Sequence, residues 1–203
     1  MGEPSKFQLV ELGPGKGTLM SDILRTIARI SPNALEEMSV HLVDVSEKLK
    51  SIQASTLCDK KSVGSNGLKS IYGPHVSWYS SLHDVPKEFT FFVAHEFFDA
   101  LAVNKFQRTS EGWREVLIDI DPSEEYKLRY VISRNPTPAC MLLEQSGMTE
   151  VMNGRDNAEL CIDGGAIIRN ISKRIVEEGG VGLIADYGHT KGEGDTFRYK
   201  WQV

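Results

Sequence analysis

Apolar residues along this chain fall into two recurring patterns, short unbroken runs and stretches with one apolar residue every three or four positions. Phe7 to Leu12 (FQLVEL) is a short run that ends in a glycine cluster, after which Leu19, Met20, Ile23, Leu24 and Ile27 recur at helical spacing. That order reads as strand, glycine turn, helix. Val40 to Val43 (VHLV) is a second buried run closed by Asp44, and Ser46 is placed to cap a helix with Leu49, Ile52 and Leu57 on its apolar side. A strand–helix–strand–helix order predicts a parallel sheet with helices on its faces.

Further along, Val76 to Tyr79 reads as a third strand. Phe89 to Ala94 (FTFFVA) is too short for a buried helix and predicts the central fourth strand, ending in the polar-aromatic string His95-Glu96-Phe97-Phe98-Asp99. Between these two halves, Asp59 to Pro74 is rich in Lys, Ser and Gly without periodicity and is expected to be a loop or disordered insert. Val103 to Arg108, Trp113 to Ile120 and Lys127 to Ser133 alternate and are separated by turn formers, which predicts a β-meander inserted at about residues 103–135. Pro136 to Glu159 is expected to be loop. Gly165 to Glu178 carries a helical pattern that Gly179-Gly180 should terminate, and Val181 to Ala185 is a last buried strand closing on Asp186-Tyr187-Gly188. No internal repeat is present.

At 203 residues the chain suits one domain with insertions, so a single α/β domain over residues 1–203 is expected. The net charge of -5 argues against a nucleic-acid partner, which needs a basic face to neutralise phosphates. Local basic clusters, Lys60-Lys61 and Arg169 to Arg174, read as solvated faces. Cys58, Cys140 and Cys161 are odd in number, scattered and without a CxxC pair. They suit neither a disulfide framework nor a zinc site, and read as free thiols in a reducing compartment. No apolar run approaches the ~18 residues of a membrane helix, so no membrane insertion is expected, and Met1 to Lys6 lacks the apolar stretch of a signal peptide.

The candidate chemistry gathers where strands end. Glu11-Leu12-Gly13-Pro14-Gly15-Lys16-Gly17-Thr18 lies between the first strand and its helix, the place at which open α/β sheets bind ligands. It is neither GxGxxG nor GxxxxGK[ST], so dinucleotide and nucleoside-triphosphate readings weaken. A carboxylate at Glu11 would repel pyrophosphate and attract a cation, which suits S-adenosyl-L-methionine with its sulfonium and ammonium groups. The alternative is a purely structural glycine turn. Asp44, ending the second strand, is placed to accept the ribose hydroxyls of an adenosine, or else simply to cap the helix that follows.

After the fourth strand, Glu96 and Asp99 could clamp an incoming guanidinium, since methyl transfer requires a near-linear approach of nitrogen to the methyl carbon. A carboxylate there could also accept the released proton. Two other readings of His95, Glu96 and Asp99 stand beside this one. A metal site is disfavoured because HEFFD is not HExxH, no second histidine cluster lies nearby and no metal ligand is expected, and polar residues merely ending a strand would look the same. Phe97 and Phe98 read as core. Asp186-Tyr187-Gly188-His189, with Gly194 to Arg198, forms a polar loop at the same sheet edge that either faces substrate or is an ordinary turn.

Taken in order, VELGPGKGTL, LHDVP, AHEFFDAL, WREV, and ADYGH followed by DTFR resemble the MidA-like methyltransferases. Within them the match is to the branch of mitochondrial protein arginine methyltransferases that act in respiratory complex I assembly, and it runs from about Phe7 to Arg198. The resemblance implies a Rossmann-like sheet, an S-adenosyl-L-methionine cofactor held by Glu11, Gly13, Gly15, Gly17 and Asp44, and an acidic motif at Glu96 and Asp99. It also implies a protein substrate, an arginine of a complex I peripheral-arm subunit dimethylated symmetrically, and a place in the mitochondrial matrix. Two positions depart from the family: His95 stands where Asn is common, although the assembly-factor branch shares it, and Ala102 stands where Pro is common. The family's segment before the first strand and its strands after Thr-Phe-Arg find no match, nor does Tyr199 to Val203. The chain therefore reads as shortened at both ends, with the Val181 to Ala185 strand expected to have an open edge. A catalytically silent binding module for the assembly partner and an NAD-dependent oxidoreductase are the competing functions.

Overall fold

The computed structural model describes residues 6–64, 67–124, 127–151 and 154–188. In chain order the elements are β1 (Phe7–Leu12), α1 (Thr18–Ile30), β2 (Met38–Val43), α2 (Glu47–Leu57), β3 (Cys58–Gly64), β4 (Gly67–Ser70), β5 (His75–Tyr79) and β6 (Thr90–His95). There follow β7 (Asn104–Thr109), β8 (Gly112–Ile120), β9 (Leu128–Ile132), α3 (Pro138–Gln145), α4 (Met148–Val151), β10 (Asn157–Leu160), α5 (Ile162–Glu178) and β11 (Gly180–Ala185). They divide into two compact units, one made of the residues up to Asp99 together with those from Arg174 on, the other of Ala100–Lys173.

The first unit is a seven-stranded sheet in the order β11-β6-β1-β2-β5-β4-β3. Strands β11, β6, β1, β2 and β5 run parallel, as expected of alternating strands and helices, while the β3–β4 hairpin adds antiparallel to β5. The Rossmann-like α/β architecture read from the sequence is the one observed. Leu9, Val40, Leu42, Val76 and Val93 of the sheet pack with Met20 and Leu24 of α1 and Leu57 of α2. Fully burying each such side chain is worth ~1.5–3 kcal/mol, so this layer is what holds the parallel strands together. Helix α1 ends at Ser31 because Pro32 follows and disfavours a helical residue before it. Helix α2 begins where the sequence places it, with the Ser46 hydroxyl accepting from Leu49 N at 3.3 Å. At the far end of the chain, Gly179 leaves α5 with φ +82 and its N–H returns to Ile175 O at 3.0 Å, a left-handed helix stop.

Three expectations are corrected. The supposed loop from Asp59 to Pro74 contains the β3–β4 hairpin; its strands are recruited by the free edge of β5, a tertiary partner that local composition does not announce. The supposed loop from Pro136 to Glu159 contains α3, α4 and β10. Helix α3 is started by Thr137, whose hydroxyl accepts from Cys140 N at 3.3 Å, with Pro138 in the first turn, a start signal that the sequence itself carries. Third, Arg174 is not on a solvated face: it is buried and donates to the carbonyls of Leu82 (2.7 Å), Val85 (3.0 Å) and Pro86 (2.9 Å), fixing α5 to the approach of β6.

The second unit is a four-stranded antiparallel sheet, β10-β7-β8-β9, so the meander gains a fourth strand from β10. Its core is Phe106, Trp113, Cys140, Leu143 and Ala158. All three cysteines are free, as the spacing implied.

Among the described residues β11 is an edge strand of the first sheet, with the open edge expected; but Val181 and Leu183 are 56% and 62% exposed, so the strand read as buried is not. With Phe7, Leu9, Phe91 and the isoleucines of α1 they line an apolar groove of about 470 Å³.

Candidate active site

Four parallel strands end in register at one edge of the first sheet. Leu12 of β1 pairs with Val43 of β2 and Ala94 of β6, and Ala94 pairs in turn with Ile184 of β11. Gly13, Asp44, His95 and Ala185 therefore open onto four loops lying side by side, neighbouring strands being ~4.8 Å apart. Glu11, Gly13, Gly15, Gly17, Asp44, Glu96 and Asp99, singled out from the sequence, all lie at the ends of these strands or in the loops leaving them.

The turn after β1 is closed by Gly17 N donating to Pro14 O at 2.8 Å and tied to β2 by Gly13 N donating to Val43 O at 3.0 Å. Its glycines all have positive φ, +63 at Gly13, +54 at Gly15 and +81 at Gly17. A Cβ at Gly15 would meet nothing within 4 Å, so the turn offers bare backbone to the space beyond it. At Gly13 a Cβ would stand 2.7 Å from Cδ2 of Phe97, so the two neighbouring loops pack on each other through that missing atom. Gly17 is buried instead against Leu57 and Gln53 of α2, where it lets the two helices approach.

Glu11 is 3% exposed, and its Oε2 has no hydrogen-bond partner among the described residues. Burial pushes its carboxyl up to about 7. An acid in that state is held back from ionising by its lost hydration, and a cationic ligand beside it would offset that loss and draw off its proton.

Asp44 is held on both oxygens: Oδ1 accepts from Ser46 N at 2.9 Å and Oδ2 from Gln53 Nε2 at 2.8 Å. A carboxylate has ~four acceptor sites, so it retains capacity for ribose hydroxyls, now in a fixed orientation. The two readings of Asp44, ligand acceptor and local cap, are therefore compatible. Gln53 was not singled out from the sequence. It is fully buried, its amide also donates to Gly15 O at 2.8 Å, and its Oε1 accepts from Trp78 Nε1 at 2.9 Å. One side chain thus ties the glycine turn, Asp44 and β5 together. The signal was available: Gln53 lies four residues after Leu49 and four before Leu57, a polar amide on an apolar helical stripe.

The loop after β6 carries the acids. Glu96 has φ +49, the only non-glycine among the described residues with positive φ, and its N–H donates to Ala185 O at 2.8 Å. Phe97 and Phe98 meet edge to face at 5.2 Å and are half-buried. Asp186 Oδ2 accepts from Phe98 N and from Asp99 N, both at 3.2 Å, and Tyr187 Oη donates to Asp99 Oδ2 at 2.6 Å. Glu96 and Asp99 are both exposed, so both acids are accessible to a second ligand. His189 and Gly194 to Arg198, also singled out from the sequence, lie outside the described residues.

The open backbone at Gly15, the unpartnered oxygen of Glu11 and the oriented carboxylate of Asp44 fit an adenosine-bearing cation, and so fit S-adenosyl-L-methionine. Comparison with known proteins bears on the same point. Residues 1–201 match the sequence model of the family "Putative S-adenosyl-L-methionine-dependent methyltransferase". The chain is 47% identical to human "Protein arginine methyltransferase NDUFAF7, mitochondrial" over 97% of its own length and 45% of that protein's. It is 39% identical to the Drosophila melanogaster homologue of the same name, over 98% of itself and 46% of the relative. The chain thus spans about half the length of the curated relatives it matches. Among solved structures, one from Burkholderia thailandensis bound to S-adenosyl-homocysteine aligns with a TM-score of 0.56 at 20% identity, covering 82% of this chain and 38% of the other. That likeness shows the fold.

Proposed function

The chain belongs to this family of S-adenosyl-L-methionine-dependent methyltransferases, and from that premise we propose that it is the cofactor-binding and catalytic part of a mitochondrial protein arginine methyltransferase. The observation that carries the reading is the alignment of an open glycine turn, a buried Glu11 with one unpartnered oxygen and an exposed acid loop on adjacent strands of one sheet edge. Glu11, Gly13, Gly15 and Asp44 would hold the cofactor, with Gly17 shaping the turn. When bound, the cofactor supplies an electrophilic methyl group.

The remaining chemistry falls to the chain's own residues. Glu96 and Asp99 supply carboxylate oxygens that accept the N–H donors of a guanidinium, fixing its plane and its approach. A carboxylate of this loop then takes the proton released as nitrogen is methylated. The β-rich unit, entering after Asp99 and leaving before Arg174, is read as an insertion within a single methyltransferase domain. The names of the relatives support arginine as the acceptor and the mitochondrion as the compartment. The finer reading, symmetric dimethylation of a complex I peripheral-arm subunit in support of complex I assembly, rests on the family resemblance. Family membership leaves the NAD-dependent reading without support.

The test uses the full-length protein, peripheral-arm subunits of complex I as acceptor, titration calorimetry with S-adenosyl-homocysteine and intact-mass detection of methyl transfer. Glu96→Gln is expected to keep cofactor affinity within about twofold. It should lower turnover ~10²-fold or more, through the lost charge-assisted pair and the lost proton acceptor. Parallel loss of affinity and turnover would put Glu96 in the cofactor pocket or the fold and overturn the assignment.

A further inference from the structure

We propose that Asp186 and Tyr187 are positioning residues that hold the acid loop in its working shape, Asp186 through the backbone and Tyr187 through the Asp99 carboxylate. The inference rests on the reading of Glu96 and Asp99 as the acceptor site, and it gives Asp186 and Tyr187 a role other than facing substrate directly or merely turning the chain.

The geometry is that of a clasp between two strand ends. One Asp186 oxygen takes the N–H groups of Phe98 and Asp99, while its other oxygen accepts from Tyr187 N at 2.9 Å. Two consecutive loop amides aimed at a single carboxylate oxygen fix the direction in which the loop leaves Glu96. Glu96 N bonded to Ala185 O closes the clasp from the strand side, and Phe97 seated against Gly13 closes it from the glycine turn. These contacts surround the one non-glycine residue with positive φ among those described, a conformation that persists only where its surroundings over-determine it.

Tyr187 acts at the other end of the loop. Its hydroxyl donates to Asp99 Oδ2, which restrains the rotation of that carboxylate and leaves its second oxygen to an incoming donor. Tyr187 is 69% exposed and Asp99 is exposed, so this contact does little for the core. A tyrosine whose hydroxyl spans from the end of β11 to a surface carboxylate is therefore better explained by the orientation it imposes than by stability.

The experiment compares Tyr187→Phe, Asp186→Ala, Asp186→Asn and, as reference, Glu96→Gln in the full-length protein. Hydrogen exchange at the Phe98 and Asp99 amides, calorimetry with S-adenosyl-homocysteine and methyl transfer to complex I peripheral-arm subunits are the readouts. Asp186→Ala should release both amides to fast exchange and lower turnover ~10²-fold, the scale of a misplacement of about 1 Å. Asp186→Asn, which keeps an acceptor oxygen, should restore most of both. Tyr187→Phe should leave the amides protected and slow transfer roughly tenfold, the loss of one orienting hydrogen bond, with cofactor affinity unchanged in all variants. Full turnover in Tyr187→Phe and Asp186→Ala beside a crippled Glu96→Gln would overturn the clasp and leave the acid-loop reading standing. Undiminished turnover in Glu96→Gln would overturn both, and unaltered amide exchange in Asp186→Ala would overturn the clasp whatever the activities.

Discussion

The turn after β1 and the loop after β6 leave neighbouring strands from paired positions, Leu12 beside Ala94, and both carry the chain through left-handed backbone. They do so with opposite residues. The first uses Gly13, Gly15 and Gly17, for which positive φ carries no steric penalty. The second uses Glu96, at φ +49, where an L side chain is disfavoured by about 1–2 kcal/mol. A turn that served only to reverse the chain would be better made with glycine in both places. On the proposed function the difference separates a loop that works by lacking side chains from one that works by presenting them, and the two are joined by Phe97 resting on Gly13.

The harshest way to break the comparison is to put a side chain where the two loops meet. In Gly13→Val the new Cβ would fall 2.7 Å from Phe97 Cδ2, on a backbone with φ +63 that β-branched residues avoid. The expected cost is roughly 3 kcal/mol or more, combining left-handed strain with a displaced aromatic ring. Urea unfolding should show it, and S-adenosyl-homocysteine affinity and methyl transfer should fall together. Gly15→Ala is the sharpening control: with nothing within 4 Å of its Cβ, only strain of ~1 kcal/mol should appear in stability, while cofactor affinity falls. Equal destabilisation by the two variants would mean that the contact between the loops is immaterial.

A smaller effect distinguishes the buried acid at the glycine turn from the exposed acids of the other loop. Glu11 is pushed from an ordinary 4.5 up to about 7 by burial. Because its folded value lies above its unfolded one, the unfolded chain loses this proton first, and stability falls as pH rises from about 4.5 to about 7. The full excursion is on the order of 3 kcal/mol. Chemical unfolding across that window should show the decline, and Glu11→Gln should flatten it. A cofactor cation would favour the ionised acid, so binding should tighten from pH 6 to pH 8 and release a proton, seen as calorimetric heats that differ between buffers. A stability profile indifferent to Glu11→Gln would show that the acid is better solvated than its burial implies.

How much of this was legible in the sequence follows the same division. The glycine turn could be read, because a run such as FQLVEL followed by glycines and a helical stripe has few other meanings, and β1, α1, β2 and α2 lie where the pattern placed them. Asp44 was legible as a strand-end acid. Its fixing by Gln53 was not read, because a buried amide declares itself only once Gly15, Asp44 and Trp78 are seen to converge on it. The acid loop was legible as a string of residue types. Its shape was not, since the strain at Glu96 and the hold of Asp186 depend on β11 lying beside β6, which is 88 residues distant for Phe98. The β3–β4 hairpin was missed for the same reason: its partner is a sheet edge, and propensity alone cannot supply one.

The mildest perturbation asks whether the strain at Glu96 is real and whether it is kept for the side chain. In Glu96→Gly the left-handed backbone would become unstrained, a gain of about 1–2 kcal/mol, offset by the ~0.5–1 kcal/mol that glycine adds to the entropy of the unfolded chain. The net expectation is a stabilisation of roughly 0.5–1 kcal/mol, or a rise in Tm of about 1–4 °C for a chain of this size. The backbone contacts that define the loop, Glu96 N to Ala185 O and the Phe98 and Asp99 amides to Asp186, do not involve the lost side chain and should survive. Methyl transfer should fall at least as far as in Glu96→Gln, since the carboxylate is gone in both. A variant more stable than the natural protein yet inactive would identify Glu96 as a residue held against the preference of its own backbone. If Glu96→Gly instead lost a kcal/mol or more, the side chain would be part of the fold, and the contrast between the two loops would be one of sequence alone.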